Sequence, residues 1–147
     1  MPLSAYNGVL GVPEFTIWDS LNSKGDLKAS ETIYISSAAG TLGQFAGQLA
    51  KRKGLRVIGS AGSDEKAAFL KNGHGLWISV LALAEAAGPA GLDIYYELVG
   101  DDTVEIALDL LNPCGRILAV GILAAHQNAE PYLPKNLDQQ LVQGASL

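Results

Sequence analysis

The sequence predicts an α/β fold, a Rossmann-like, doubly wound parallel sheet built as a single domain, and three observations predict it. Short β-branched or aromatic runs alternate with longer segments of helical apolar spacing along most of the 147 residues. One such run, Glu31–Ser37, passes straight into a glycine turn, Gly40–Thr41–Leu42–Gly43, that opens a helix. No repeat, low-complexity tract or linker interrupts the alternation, and the length suits one domain, residues 1–147, with one substantial core.

The elements follow in order. Pro13 at the start of a helical pattern, with Phe15, Trp18 and Leu21 behind it, predicts an opening helix that stops at Gly25 and turns its aromatics into the core. Glu31–Ser37 is the first strand. In the next helix Leu42, Phe45, Ala46, Leu49 and Ala50 recur at helical spacing and give one apolar face, while Lys51, Arg52 and Lys53 fill the last turn, where cations suit the helix dipole. Leu55–Ser60 is the second strand, and Ser63 with Asp64 and Glu65 behind it starts a helix through Leu70. Leu76–Val80 reads as a third strand merging into an alanine-rich helix near 81–87, and Leu92–Glu97 as a fourth. Asp101 or Asp102 caps a helix with Val104, Ala107, Leu108 and Leu111 as its stripe, which Asn112–Pro113 ends. Arg116–Gly121 is the fifth strand, and a short helix near 135–143 follows Pro131 and Pro134. Parallel strands with right-handed helical crossovers are the expected topology.

Composition excludes several functions. Ten Lys plus Arg against 15 Asp plus Glu leave a net charge of -5, and the Lys51–Lys53 cluster is too short to hold nucleic acid against that field. No apolar run approaches the ~18 residues of a membrane span, so no membrane partner is expected. The single cysteine, Cys114, excludes an internal disulfide, and with two histidines it cannot make a Cys-rich zinc site; no metal is expected. Cys114 itself reads as a small buried or half-buried residue. Met1–Tyr6 carries no basic and apolar leader, so the expected location is cytoplasmic.

The glycine turn carries the first chemistry. A strand ending at Ser37 and a helix opening at Gly40, Thr41, Leu42 and Gly43 bring unpaired amides and a positive helix end to one point, where a pyrophosphate can come close. A side chain at Gly43 is expected to fill the pyrophosphate position, and Gly47 lets helix and sheet pack closely. A carboxylate at the end of the second strand would accept the ribose 2′-OH of NAD and repel the 2′-phosphate of NADP. Here that position reads Gly59–Ser60–Ala61–Gly62–Ser63, without an acid, and Lys66 one turn later offers an ammonium. These residues favour NADPH. Val99 and Gly121, at the carboxyl ends of the fourth and fifth strands, lie where such sheets hold ligands.

Three residues are candidates for catalysis. His126, beyond the fifth strand, titrates near neutral pH. Glu97 ends a strand at the ligand edge and could act as a base if its pKa were raised, although a solvated acid is the ordinary reading. Tyr132 offers a hydroxyl. His74 lies in the turn Asn72–Gly75.

Several stretches together resemble a known family: Leu10–Thr16, Glu31–Lys53, Val57–Lys66, Asp93–Gly100 and Leu111–Ile117. The resemblance is to the medium-chain dehydrogenase/reductase superfamily, in its zinc-independent branch of prostaglandin and alkenal double-bond reductases. It covers nearly all of this chain and less than half of the family's, whose GroES-like substrate domain has no counterpart here. It implies an NADPH-binding domain, hydride transfer to an activated carbon–carbon double bond in a small-molecule substrate, and a homodimer. Three positions depart from the family pattern. Residues 72–80 lack the tyrosine that approaches the 2′-phosphate, Leu98 stands for an asparagine near the nicotinamide, and Ala124–Asn128 lacks the tyrosine near the substrate. Simple alkenals are therefore expected to turn over slowly. Two alternatives stay open: a non-redox isomerase or cyclase using His126, Glu97 or Tyr132, and a non-catalytic binding module. The opening helix, with Phe15, Ile17 and Trp18, is the expected surface for self-association.

Overall fold

The computed structural model describes residues 4–7, 10–71, 76–78, 82–121 and 134–136. Five parallel strands form one sheet: β1 (Thr32–Ile35), β2 (Arg56–Ser60), β3 (Leu76–Ile78), β4 (Leu92–Glu97) and β5 (Leu111–Ala119). Their order is β3-β2-β1-β4-β5. The chain winds outward from β1 through β2 to β3, then returns to the other side of β1 for β4 and β5. Ile33 accordingly pairs with Val57 on one flank and Ile94 on the other, and the switch point lies between β1 and β4.

Strands buried on both faces read as continuous apolar runs, which is why all four residues of β1 are buried. Alternate residues feed two cores. Ile33, Ile35, Val57, Ile94 and Tyr96 pack with Ile17 and Leu21 and with Ala46 and Ala50, which belong to the opening segment and to α3 (Thr41–Arg52). Tyr34, Ile58, Tyr95 and Ile117 pack on the other face with Leu83 and Ala87 of α5 (Leu83–Ala87) and Ala107 and Leu108 of α6 (Thr103–Asp109). A short α1 (Ser4–Asn7), α2 (Val12–Asp19) and α4 (Asp64–Lys71) complete the helices among the described residues. None is long and apolar enough to cross a membrane.

The opening helix differs from the sequence reading. Phe15 and Trp18 are 67% and 57% exposed, whereas Ile17 is 2% exposed and Leu21 is fully buried. Phe15 and Trp18 lie on the outward side of α2, whereas Leu21 falls beyond the helix in the next turn, so the three do not share one face. The chain continues from α2 into a wider π-helical turn, Ser20–Lys24, where the Ser20 and Tyr96 hydroxyls meet at 2.8 Å.

The fifth strand begins at Leu111, not Arg116, and α6 ends at Asp109, so Leu111 leaves the helical stripe and pairs with Leu92. The next pair is Ile94 with Arg116. The extra residues on β5 form an irregularity in which Cys114 takes φ 63 and is exposed rather than buried. Pro113 is tolerated because β5 is an edge strand of the described sheet. Shorter adjustments trim β1 at both ends, start β2 at Arg56 and start α5 at Leu83; β4 has the predicted bounds. Ser79 and Val80 lie outside the described residues. Of the helix expected near 135–143, residues 135 and 136 form a turn and the rest lies outside them.

Polar groups tie the amino ends of the strands. Arg116 and Glu31 form a half-buried ion pair at 2.6 Å, and Asp93 accepts from the Thr32 amide and the Asn112 side chain, each at 2.8 Å. At the opposite end a Cβ on Gly43 would lie 2.5 Å from Ala38 Cα and 2.6 Å from the Ser37 carbonyl. Gly43 thus lets α3 rest on the turn backbone; its missing side chain leaves room for protein rather than for a ligand. Gly43→Ala should lower unfolding free energy by about 1–3 kcal/mol through overpacking. Gly62, with no heavy atom within 4 Å of its Cβ position, should tolerate alanine within about 0.5 kcal/mol. Urea unfolding of both variants checks this, and equal effects would contradict the assigned role of Gly43.

Candidate functional site

β1 ends at Ile35 and the chain turns at once, with Ser37 held at φ 48. Three bonds shape the turn: Ala38 donates to the Ser60 carbonyl at 2.7 Å, Gly40 donates to the Ser37 carbonyl at 2.9 Å, and the Gln44 side chain donates to the Ala39 carbonyl at 2.7 Å. The amides of Thr41, Leu42 and Gly43 then stand in the first turn of α3, where helix geometry offers no internal partner and the dipole is positive.

Two adjoining cavities lie over the carboxyl ends of the strands and share Ser37 and Gly40. One, of about 250 Å³, is lined by Ser60, Gly62, Lys66 and Val99 together with Ser36, Asp101 and Thr103. The other, of about 260 Å³, is lined by Thr41, Leu42, Gly43, Leu98 and Gly121. Cavities of about 300 Å³ also lie between α2 and α3 and along β5, so volume does not single out the site. Chemistry does: the adjoining pair combines a helix amino end, hydroxyls and an ammonium in one groove at the switch point.

The groove gathers the sequence-predicted residues Ser37, Gly40, Thr41, Leu42, Gly43, Ser60, Gly62, Lys66, Val99 and Gly121. Ser63 instead caps α4, its hydroxyl accepting from the Lys66 amide at 3.3 Å and its carbonyl from the Ala67 amide at 2.9 Å. Sequence reasoning missed Ser36 and Thr103 as wall residues, placed Leu98 near the nicotinamide only through the family resemblance, and read Asp101 only as a cap. Asp101 does cap α6, accepting from the Thr103 amide at 3.0 Å and from the Thr103 hydroxyl. It also lines the same cavity as Lys66. His126, Tyr132 and His74 lie outside the described residues.

Beneath the groove lies a polar layer. The Tyr34 and Ser60 hydroxyls meet at 2.8 Å, and the Tyr34 ring stacks on Tyr95 with centroids 5.3 Å apart. Glu97 is only 5% exposed, which corrects its reading as a solvated acid. Its Oε1 accepts from the Ser36 hydroxyl at 3.1 Å, from the Gly100 amide at 2.8 Å and from the Val99 amide. Its Oε2 is buried without a partner among the described residues. Burial pushes the Glu97 carboxyl above its ordinary range, the three hydrogen bonds pull it down, and Asp101 adds to the rise. Burial also raises Tyr34, partly offset by its bond to Ser60.

A family description, Zinc-binding dehydrogenase, matches residues 41–147. The chain belongs to that family. Prostaglandin reductase 1 of Bos taurus is 37% identical over 142 residues, 91% of this chain and 43% of that protein. The 2-alkenal reductase (NADP(+)-dependent) of Nicotiana tabacum is 35% identical over 134 residues, 86% of this chain and 39% of its own. Among solved structures, CurA from Vibrio vulnificus in complex with NADPH superposes with a TM-score of 0.84 and 33% identity, over 95% of this chain and 44% of CurA. These relatives bear out the resemblance to the zinc-independent prostaglandin and alkenal reductase branch of the medium-chain superfamily. The chain spans about two fifths of the length of the curated relatives it matches. Although the family description names zinc, the described residues hold no group of three His, Cys, Asp or Glu side chains that fits a metal ion.

The burial of Glu97 has a measurable consequence. Because its folded pKa lies above the unfolded one, its contribution to stability is complete below the unfolded value and is lost as pH rises through the folded value. Glu97→Gln cannot ionise, so its stability should fall less steeply than the parent's over that interval. Denaturant unfolding across pH measures this, and an unchanged slope would assign the dependence to another group.

Proposed function

We propose that this chain is the NADPH-binding unit of a reductase acting on activated carbon–carbon double bonds. The observation that carries the reading is the groove over the switch point, which joins the amino end of α3 to Lys66 without a carboxylate at the end of β2. The residues present fit the dinucleotide: the space above Gly62 is open, and the first amides of α3 border the same groove. Bound reduced nicotinamide supplies a hydride. In this chain the Thr41–Gly43 amides hold the pyrophosphate, Lys66 meets the 2′-phosphate, and Leu98 with Gly121 walls the nicotinamide side against water. The name of the tobacco relative, a 2-alkenal reductase dependent on NADP, supports both cofactor and substrate class.

The non-redox reading lacks comparable support. The relatives described above are named reductases, and Glu97 is buried with Oε1 occupied by three donors rather than presented as a free base.

NADPH should bind more tightly than NADH, and Lys66→Ala should weaken NADPH about tenfold through the lost charge contact, while leaving NADH unchanged. Fluorescence titration of both cofactors measures this; equal affinities unaffected by the substitution would refute the assignment.

The proposal extends to a homodimer. Val12, Phe15 and Trp18 are 78%, 67% and 57% exposed on one short helix, an apolar surface suited to a second copy; Ile17 is buried and takes no part. Light scattering at micromolar concentration should show a dimer that Trp18→Ser weakens, and a monomer throughout would remove this extension.

A further inference from the structure

Glu97 stands where three segments meet. Its carbonyl accepts from the Val120 and Gly121 amides beyond β5 at 2.9 and 3.1 Å. Its Oε1 accepts from the Ser36 hydroxyl, on the chain leaving β1, and from the amides of Val99 and Gly100. Ser36 completes the arrangement by accepting from the Leu98 amide at 2.8 Å. Three consecutive amides, Leu98, Val99 and Gly100, are thus held by one pair of side chains. The residues so held are walls of the groove: Val99 of one cavity, Leu98 and Gly121 of the other.

The two carboxyl oxygens are not equivalent. Oε1 has three donors, so a proton there would remove acceptor capacity that the turn uses. Oε2 is buried and has none among the described residues. An ionised carboxyl would leave charge on an oxygen buried from bulk solvent and without a donor among the described residues, whereas a neutral acid leaves only a hydroxyl. The three donors on Oε1 favour the ionised form, whereas burial and the titratable neighbours oppose it. Asp101, at the start of α6, disfavours a second negative charge, and Tyr34 on β1 stays neutral because burial raises it. Lys66 reaches the same cavity from α4 but is exposed to solvent.

We propose that Glu97, protonated on Oε2, is the positioning residue that clamps the Leu98–Gly100 turn to β1 and so shapes both halves of the groove, linking dinucleotide binding to this one proton. The inference rests on the dinucleotide reading above. Ionised Glu97 seeks water, which reaches Oε2 only if the turn opens, and an open turn removes Leu98 and Val99 as walls. The new charge also lies beneath a groove for an anionic ligand. Both effects weaken binding, and by linkage the bound dinucleotide strengthens the hold of Glu97 on its proton.

The test combines NADPH titration from about pH 5 to about pH 9 with nuclear magnetic resonance of the nucleotide-free protein, for the parent, Glu97→Gln and Glu97→Ala. Glutamine keeps an acceptor for the three donors and cannot ionise. The parent should lose NADPH affinity as pH rises through the Glu97 titration. Glu97→Gln should keep the low-pH affinity without that loss, and Glu97→Ala should bind about tenfold more weakly throughout. In the nucleotide-free parent the Val99 and Gly100 amide resonances should titrate together, and in Glu97→Gln they should not. Identical pH profiles for parent and Glu97→Gln, or amides indifferent to pH, would overturn the proposal even where NADPH binds. If NADPH binds at no pH, the dinucleotide reading and the linkage fall together, and the amide titration alone judges the clamp.

Discussion

The close approach of α3 to the turn after β1 is the contact on which the groove depends. A Cβ on Gly43 would fall inside van der Waals distance of Ala38 and Ser37, so only glycine lets the helix begin where it does. From that approach follow the position of the Thr41–Gly43 amides at the sheet edge and the direction of the α3 axis. Ala46, Gly47 and Ala50 then reach the sheet as small buried residues. A helix set farther out would leave the amides pointing at the same edge with a gap beneath them.

The sheet divides its polar chemistry between its ends. At the amino ends Arg116 pairs with Glu31, and Asp93 with Thr32 and Asn112, which fastens β1, β4 and β5, although Arg116 Nε is buried without a partner among the described residues. At the carboxyl ends satisfaction is incomplete. Among the described residues Glu97 Oε2 is buried without a partner, and the first amides of α3 have none within the helix. The amides at the start of α3 stand over the strand ends, where such sheets dock ligands.

Much of this was legible in the sequence because it rests on local patterns. The apolar face of α3, the run Leu92–Glu97 and the glycine turn each follow from residues within a few positions of one another, and the structure keeps them. What was illegible depends on contacts distant in sequence. Glu97 is buried with a partner, Ser36, that stands 61 residues away, and no local pattern separates it from an acid in water. The exposure of Phe15 and Trp18 depends on the π-helical turn that aims Leu21 at the core. The start of β5 at Leu111 requires its pairing with Leu92 across an irregular register, which overrides the ordinary reading of Asn112–Pro113 as a break.

A dinucleotide seated over the strand ends, and not in the larger apolar cavity between α2 and α3, is tested most directly by amide chemical-shift mapping with NADPH. Perturbations concentrated at Ser37–Gly43, Ser60–Lys66, Leu98–Asp101 and Gly121 are the expected result. Perturbations centred instead on Trp18, Phe45 and Leu49, which line the other cavity, or none at saturating NADPH, would contradict it.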